Sequence, residues 1–153
     1  MRLFLTVLIV LTFVKSTLSV TRDVYDGVKK CKKKQKIRKR YTTSISYSAY
    51  IDESSEVGEK GHMFEQSIDR TEVAKMTRRV HLGLGEHHKA WELGLLGVCV
   101  GAKVKLVAPP EEAYGDEGHG EDVPAGATIR WDIGVYLVTY FFYLNFRLLC
   151  VNV

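Results

Sequence analysis

Two aromatic residues, Trp91 and Tyr114, stand in the stretch of the chain best suited to form a chemical site. Trp91 belongs to the run of residues 90–97, and Tyr114 follows a segment with strand character at residues 103–107. No acid, base or nucleophile accompanies them at catalytic spacing. Because the two rings offer apolar surface and one hydroxyl, we expect a site that acts by binding rather than by covalent or proton-transfer chemistry.

Glu86, His87 and His88 form a second cluster, whose side chains are able to bind a metal ion. Adjacent residues on a helix point in different directions, so their spacing is poor for joint ligation. We interpret the cluster as the solvated start of a helix and expect no metal site. Because imidazoles titrate between about pH 5 and 8, we also hypothesise that protonation of His88 weakens ligand binding.

Three alternating segments predict half-buried β-strands that position these residues, since apolar side chains recur at every second position. The inward-facing sets are Tyr41, Thr43, Ile45, Tyr47, Ala49 and Ile51, then Val104, Leu106 and Ala108, then Ile129, Trp131, Ile133, Val135 and Leu137. Residues 86–96 predict a helix that ends at Gly97. The expected fold is α+β, with a twisted antiparallel sheet of about five strands wrapped around one short helix.

The N-terminal residues are typical of a secretory signal peptide. A basic start precedes 12 uncharged residues, 3–14, and small residues then favour cleavage after Ser19. Twelve residues are too few to span a bilayer, so we expect cleavage rather than anchoring. The expected organisation is a signal peptide at 1–19, a basic segment at 20–40, one domain at 41–138 and a hydrophobic tail at 139–153.

Charge is unevenly distributed along the chain. The formal charge is +4, and it falls to +2 without Arg2 and Lys15 of the signal peptide. Nine of the 12 residues from 29 to 40 are Lys or Arg, which leaves −7 for the rest of the mature chain. We expect a solvated, partly mobile segment here, with docking to an anionic lipid or a polyanion as the alternative.

The motifs resemble those of the FKBP-type peptidyl-prolyl isomerases over about residues 27–138. Residues 90–97, 103–107, 113–115 and 127–132 carry the resemblance, in family order and at family-like spacing. Together with the signal peptide, the resemblance implies a secretory-pathway protein, either in the endoplasmic reticulum lumen or secreted.

The resemblance also implies an aromatic pocket with Trp91 as its floor. Its catalytic set comprises Tyr47, Phe64, Glu65, Trp91, Tyr114 and Trp131, and the set that binds substrate or macrolide comprises Arg70, His87, His88, His119 and Val123. The hydroxyl of Tyr114 is expected to bind a peptide carbonyl, and the backbone N–H of His88 to face the peptide. Glu65 replaces the family's usual Asp and is expected to pair with Arg70 and with the Tyr47 hydroxyl. His87 and His88 replace an apolar pair.

Rotation about an X-Pro bond needs no proton transfer, because its barrier of roughly 20 kcal/mol comes from amide resonance. A dry aromatic pocket that favours the twisted amide lowers this barrier. We therefore expect a prolyl isomerase that acts on proline-containing polypeptides and binds macrolides such as tacrolimus or rapamycin, without a cofactor or nucleic acid. The alternative, which His87 and His88 permit, is a non-catalytic binding or chaperone module of the same fold.

The resemblance further implies a disulfide between Cys31 and Cys99, because secretory-pathway members often carry a pair at these places. Cys150 is left over as a free thiol or an intermolecular partner. The apolar tail at 139–153 has no family counterpart, and three alternatives stay open for it. It contacts a membrane, packs on the domain or a partner, or is an extension outside the functional product.

Overall fold

The structure is a computed structural model that describes residues 19–67 and 77–140. Within these ranges it contains six strands and one α-helix. The strands are β1 (Thr21–Gly27), β2 (Tyr41–Ile51), β3 (Met63–Gln66), β4 (Arg78–His81), β5 (Ala102–Ala108) and β6 (Ile129–Tyr140), and the helix α1 spans Lys89–Gly94. The expected α+β fold class, a sheet with one short helix, is confirmed. Nearly all of the expected signal peptide, Arg70 and residues 141–153 lie outside the described residues.

One antiparallel sheet contains all six strands, in the order β1-β5-β6-β2-β3, with β4 also paired to β2. Strand β1 was not predicted. It pairs with β5 from Thr21 to Gly27, and its side chains are almost all exposed on both faces. Because neither face of this edge strand is buried, its sequence carries no apolar alternation that could reveal it.

A β-bulge changes the expected pattern near the end of β6. In the pairing with β2, Tyr136 is an extra residue between Val135 and Leu137. One extra residue sends all side chains beyond it to the opposite face of the sheet. Leu137 is therefore 45% exposed and Val138 only 4% exposed, so the prediction that Leu137 faces inward was wrong.

Helix α1 is shorter than the expected span of 86–96, because residues 86–88 and 95–96 are not helical. His88 is its N-cap and has an extended backbone, with φ −52° and ψ 141°. At the other end, Gly97 has φ +81°, a conformation that glycine adopts without the steric cost of a side chain. Gly94 lies so close to β5 that a Cβ atom there would be 2.7 Å from the Leu106 methyl groups. The helix thus packs tightly on the inner face of the sheet.

Within the N-terminal segment at 20–40, the Lys and Arg residues are concentrated in residues 29–40, which are called the basic segment from here on. The backbone of the basic segment is attached to the domain. Cys31 and Cys99 form a disulfide with their Cα atoms 6.0 Å apart. Ile37, only 1% exposed, donates its backbone N–H to the Val98 carbonyl at 2.8 Å and accepts the N–H of Gly97 at 2.9 Å. Most of the charged side chains are exposed, as expected for a solvated segment. Among the described residues, no helix has the length and apolar character needed to cross a membrane.

Candidate active site

Five aromatic side chains from different elements converge around α1: Trp91 of α1 itself, Tyr47 of β2, Phe64 of β3, Trp131 of β6, and Tyr114 from the connection between β5 and β6. The centroid of the Trp91 ring lies 4.9 Å from that of Tyr47 and 6.2 Å from that of Trp131, both in edge-on geometry. Tyr114 contacts Phe64 edge-on at 5.8 Å and lies 6.4 Å from Trp131. The strands therefore bring together the five rings that the sequence singled out.

A cleft of about 450 Å³ opens beside these rings. Tyr47, Trp91 and Trp131 contribute its aromatic wall, and the other lining residues are Glu65, Arg78, Gly85, Glu86, His87, His88, Lys89, Glu111, Glu112 and Ala113. Trp91 is only 3% exposed and lies at the inner end. The cleft thus combines an aromatic wall with a lining that is otherwise mostly charged or ionisable, and it is more polar than the usual small-ligand site.

The imidazole ring of His88 is part of the aromatic cluster. Its centroid lies 4.5 Å from that of Tyr114 and 5.5 Å from that of Trp131. Burial lowers the pKa of His88, although a contact of 3.3 Å between its Nδ1 and the Ala113 carbonyl acts in the opposite direction. Burial also lowers the pKa of His87, and the charge of Arg78 adds to that effect. Both imidazoles are therefore biased toward the neutral form.

The backbone N–H of His88 is open at the start of α1. Across residues 19–67 and 77–140 it finds no hydrogen-bond acceptor. The His88 carbonyl, by contrast, accepts hydrogen bonds from the N–H groups of Trp91 at 3.0 Å and Glu92 at 3.2 Å. The first donor of the helix is therefore available to a ligand, as is common at helix N-termini.

Two polar side chains at the cleft, Glu65 and Arg78, hold the Tyr47 ring through its hydroxyl. The Tyr47 hydroxyl donates to the Glu65 carboxylate and accepts a hydrogen bond from Arg78 Nη1 at 2.9 Å. Arg78 and Glu65 also form an ion pair at 3.8 Å. Burial raises the pKa of Tyr47, and the bond to Glu65 raises it further. The expected contact between Glu65 and Tyr47 is present.

Arg78 is a site residue that sequence reasoning missed. It stands on the short strand β4, which no periodic pattern predicted, and it pairs with Ile45 of β2, two residues from Tyr47. Only this long-range pairing places its guanidinium beside the Tyr47 ring. The expected pairing of Glu65 with Arg70 stays a prediction, because Arg70 lies outside the described residues.

Two buried nitrogen atoms of the cleft residues lack a partner. Within the described ranges, neither Trp91 Nε1 nor His87 Nε2 makes a hydrogen bond, and the two rings lie 5.7 Å apart. Buried polar groups without partners are costly, so native structures retain few of them, and each calls for an explanation such as a functional role.

His119 and Val123 were expected to bind substrate, but neither lines the cleft, and they are joined to each other. Their backbone N–H and carbonyl groups exchange hydrogen bonds of 2.8 Å and 3.1 Å. The His119 ring stacks on Tyr114 at a centroid distance of 5.0 Å. Burial raises the pKa of Tyr114, so its hydroxyl stays protonated at neutral pH, and it has no acceptor within the described part of the chain. The loop thus presents a hydrogen-bond donor at the edge of the ring cluster.

Residues 27–136 match the family model of the FKBP-type peptidyl-prolyl cis-trans isomerases. The chain belongs to this family. It is 42% identical over 73 residues to FK506-binding protein 2B of Rhizopus delemar, a match covering 48% of this chain and 33% of that protein.

Two further relatives give a similar picture. FK506-binding protein 2 of Yarrowia lipolytica is 35% identical over 95 residues, which cover 62% of this chain and 58% of the relative. The mouse protein named peptidyl-prolyl cis-trans isomerase FKBP2 is 37% identical over 75 residues, covering 49% and 51%. The matches thus extend over between a third and three fifths of the length of these FKBP relatives.

Proposed function

We propose that this FKBP-family chain catalyses cis–trans isomerisation of X-Pro bonds in folding polypeptides. The observation that carries the proposal is a cluster of five aromatic rings in contact at α1, three of which, Tyr47, Trp91 and Trp131, line one cleft. Bond rotation requires the amide to lose resonance and needs no nucleophile. An aromatic wall that binds the twisted amide more tightly than the planar one supplies the differential binding that such a reaction requires.

In this proposal each part of the cleft has one role. The proline ring lies against Trp91, between Tyr47 and Trp131. The hydroxyl of Tyr114 and the backbone N–H of His88 donate to carbonyl groups of the peptide. Each such hydrogen bond contributes about 1 kcal/mol when it is stronger in the twisted state, which is about fivefold in rate.

The remaining residues of the site position these groups. Glu65 and Arg78 hold the Tyr47 ring through its hydroxyl. His119 supports Tyr114 by stacking, and its hydrogen bonds with Val123 keep the loop closed on itself. The neutral imidazoles of His87 and His88 complete the inner wall.

The same cleft is proposed to bind macrolides such as tacrolimus or rapamycin, in line with the names of the relatives that refer to FK506 binding. The proposed setting is the secretory pathway, in the endoplasmic reticulum lumen or outside the cell. The Cys31–Cys99 disulfide supports this setting, since such bonds persist in oxidising compartments.

The test is a prolyl-isomerisation assay on the full chain with Tyr114→Phe and the control Tyr25→Phe. Tyr25 is an exposed residue of β1, so loss of its hydroxyl removes the same group away from the cleft. We expect acceleration above the uncatalysed rate by the wild type and by Tyr25→Phe, and a fall in kcat/KM of about fivefold for Tyr114→Phe. Macrolide binding without any acceleration would reject the isomerase and favour the non-catalytic binding module.

A further inference from the structure

The basic segment, residues 29–40, is the most strongly charged surface of the described domain. It contains nine Lys or Arg and no acid. Throughout residues 19–67 and 77–140, no carboxylate forms an ion pair with any of these nine cations. None of them lines the aromatic cleft. The segment therefore has no role in the proposed reaction, and the described part of the chain offers it no charge partner.

Unlike a mobile tail, this segment has a defined shape. The Cys31–Cys99 disulfide ties it down near its start, and the Arg40 N–H, at its end, donates to the Leu82 carbonyl at 2.8 Å. Between these points Ile37 is buried, and Val100 donates its N–H to the Gln35 carbonyl at 2.9 Å. A partner would bind cations that are already in place, so the ordering entropy paid on binding is small.

Local contacts within the segment also arrange its charges. The Arg38 guanidinium donates to the Lys33 carbonyl and lies 5.4 Å from the centre of the Tyr41 ring. Lys33 and Lys34 lie in a single 3-10 turn, Lys33–Gln35. Like charges this close repel one another, which costs stability in the free protein. A polyanion that neutralises them recovers that cost.

The side chains exposed by the basic segment favour one class of polyanion over the others, which are anionic membranes, nucleic acids and sulfated polysaccharides. The only aliphatic side chain within residues 29–40, Ile37, is buried, and the exposed apolar side chains just before the segment are Tyr25 and Val28. The segment also lacks an amphipathic helix, which peripheral membrane proteins commonly use. It offers no exposed aromatic ring for stacking on nucleic acid bases. The disulfide points to an oxidising compartment, where sulfated polysaccharides occur and nucleic acids do not.

From these observations we propose that residues 29–40 form a binding site for a sulfated polysaccharide, separate from the aromatic cleft. Lysine and arginine side chains provide the charge and the hydrogen-bond donors that bind sulfate groups. Binding is electrostatic, so its affinity falls steeply with salt. The inference does not depend on isomerase activity, since its residues lie outside the cleft.

The test measures binding of a heparin oligosaccharide to the disulfide-bonded full chain at several salt concentrations. The segment variant replaces Lys32, Lys33 and Lys34 by Gln, and the matched control replaces Lys60, Arg79 and Lys105, which are also exposed. At about 0.15 M salt we expect the segment variant to bind at least about tenfold more weakly. The slope of log affinity against log salt should fall by about one for each cation removed. The control should bind within about twofold of the wild type.

Three outcomes would overturn the proposal. An equal loss in both triple variants would mean that total charge, not this segment, binds the polyanion. Equal affinity for hyaluronan, which has carboxylates but no sulfates, would reject a sulfate site. Tighter binding to phosphatidylserine vesicles at matched anion concentration would favour a membrane. If thermal unfolding shows that the segment variant is not folded, Lys29→Gln/Lys30→Gln/Lys39→Gln provides the same test.

Discussion

The two ends of α1 are held in opposite ways. Beyond its C-terminus, the Cys31–Cys99 disulfide and the backbone hydrogen bonds of Ile37 tie the chain to the neighbouring segment. At its N-terminus, aromatic rings contact one another around a cleft, and two buried nitrogens, in Trp91 and His87, have no partner within the described residues. A covalent bond and backbone hydrogen bonds thus hold the C-terminal side, whereas the N-terminal side leaves two buried nitrogens without a partner among the described residues.

The contrast indicates how such a domain tolerates a costly site. Unpaired buried polar groups destabilise the folded state, and the ring-lined cleft leaves part of its apolar surface uncovered. A short helix of six residues has little stability of its own, so tertiary contacts must hold it. The covalent and backbone bonds beyond its C-terminus supply those contacts. The comparison predicts that changes beyond the C-terminus affect stability and changes near the cleft affect activity.

The largest expected effect comes from removing the disulfide with Cys31→Ser/Cys99→Ser. The bridge joins residues 68 positions apart, and on the chain-entropy account its loss lowers the free energy of unfolding by about 4 kcal/mol. Urea denaturation of this variant beside the oxidised wild type measures the difference. Cys150→Ser is the control and should leave the urea midpoint unchanged.

If Cys31→Ser/Cys99→Ser has the same urea midpoint as the wild type, the proposed role of the C-terminal end in stability is wrong. In that case the contacts of α1 with the sheet alone would hold the helix. A variant that keeps its midpoint but loses ligand binding would reverse the assignment, because the bonded end would then serve the site.

Sequence patterns predicted the elements that bury one face. Alternation of apolar side chains was enough for β2, β5 and most of β6. It failed beyond Tyr136, because a bulge depends on how two strands pair and not on either strand alone. Strand β1 was not predicted because both its faces are exposed, and β4 was not predicted because four residues are too few to show a periodic pattern.

The site followed the same division. The aromatic positions were expected from the resemblance to a family, and the structure brings five of them together. Arg78 was not expected, because its contact with Tyr47 depends on the register of β4 against β2. The ring of His88 in the cluster likewise depends on the extended backbone before α1, whereas the sequence favoured a helix there.

A smaller effect is expected at the cleft wall from Arg78→Gln, with Arg79→Gln as the matched control. The Arg78 side chain is about half exposed, so its loss should change stability by less than about 1 kcal/mol. Without its hydrogen bond the Tyr47 ring is less well positioned, and kcat/KM should fall by about fivefold. Arg79, the next residue on β4, is exposed and should tolerate the change. Equal losses in both variants would mean that general charge, not the contact with Tyr47, supports the cleft.

The smallest expected effect is a change of stability and ligand affinity with pH, caused by the two histidines at the cleft end of α1. Burial lowers the pKa of both His87 and His88 from the ordinary value of 6.5. The groups around them that act in the same direction are Arg78, His81 and His119, and those that oppose it are Glu65, Glu86, Glu92 and the Ala113 carbonyl.

The free energy of unfolding falls as the pH is lowered, because the two histidines bind protons more readily in the unfolded chain than in the folded protein. As the pH falls through 6.5, the unfolded chain protonates first, so the free energy of unfolding decreases until the folded pKa values are passed. Above pH 6.5 the full stability is present. Urea midpoints of the wild type should therefore fall between pH 7.5 and pH 5. Ligand affinity should fall only below pH 6.5, where His88 of the folded protein takes up a proton and its charge must be buried in the ring cluster. The variant His87→Val/His88→Ile has an apolar pair in place of the imidazoles, so its urea midpoint and its ligand affinity should change less between pH 7.5 and pH 5.

Parallel pH profiles of the wild type and the variant would mean that other groups titrate. The proposed difference between the two ends of the helix would then be rejected.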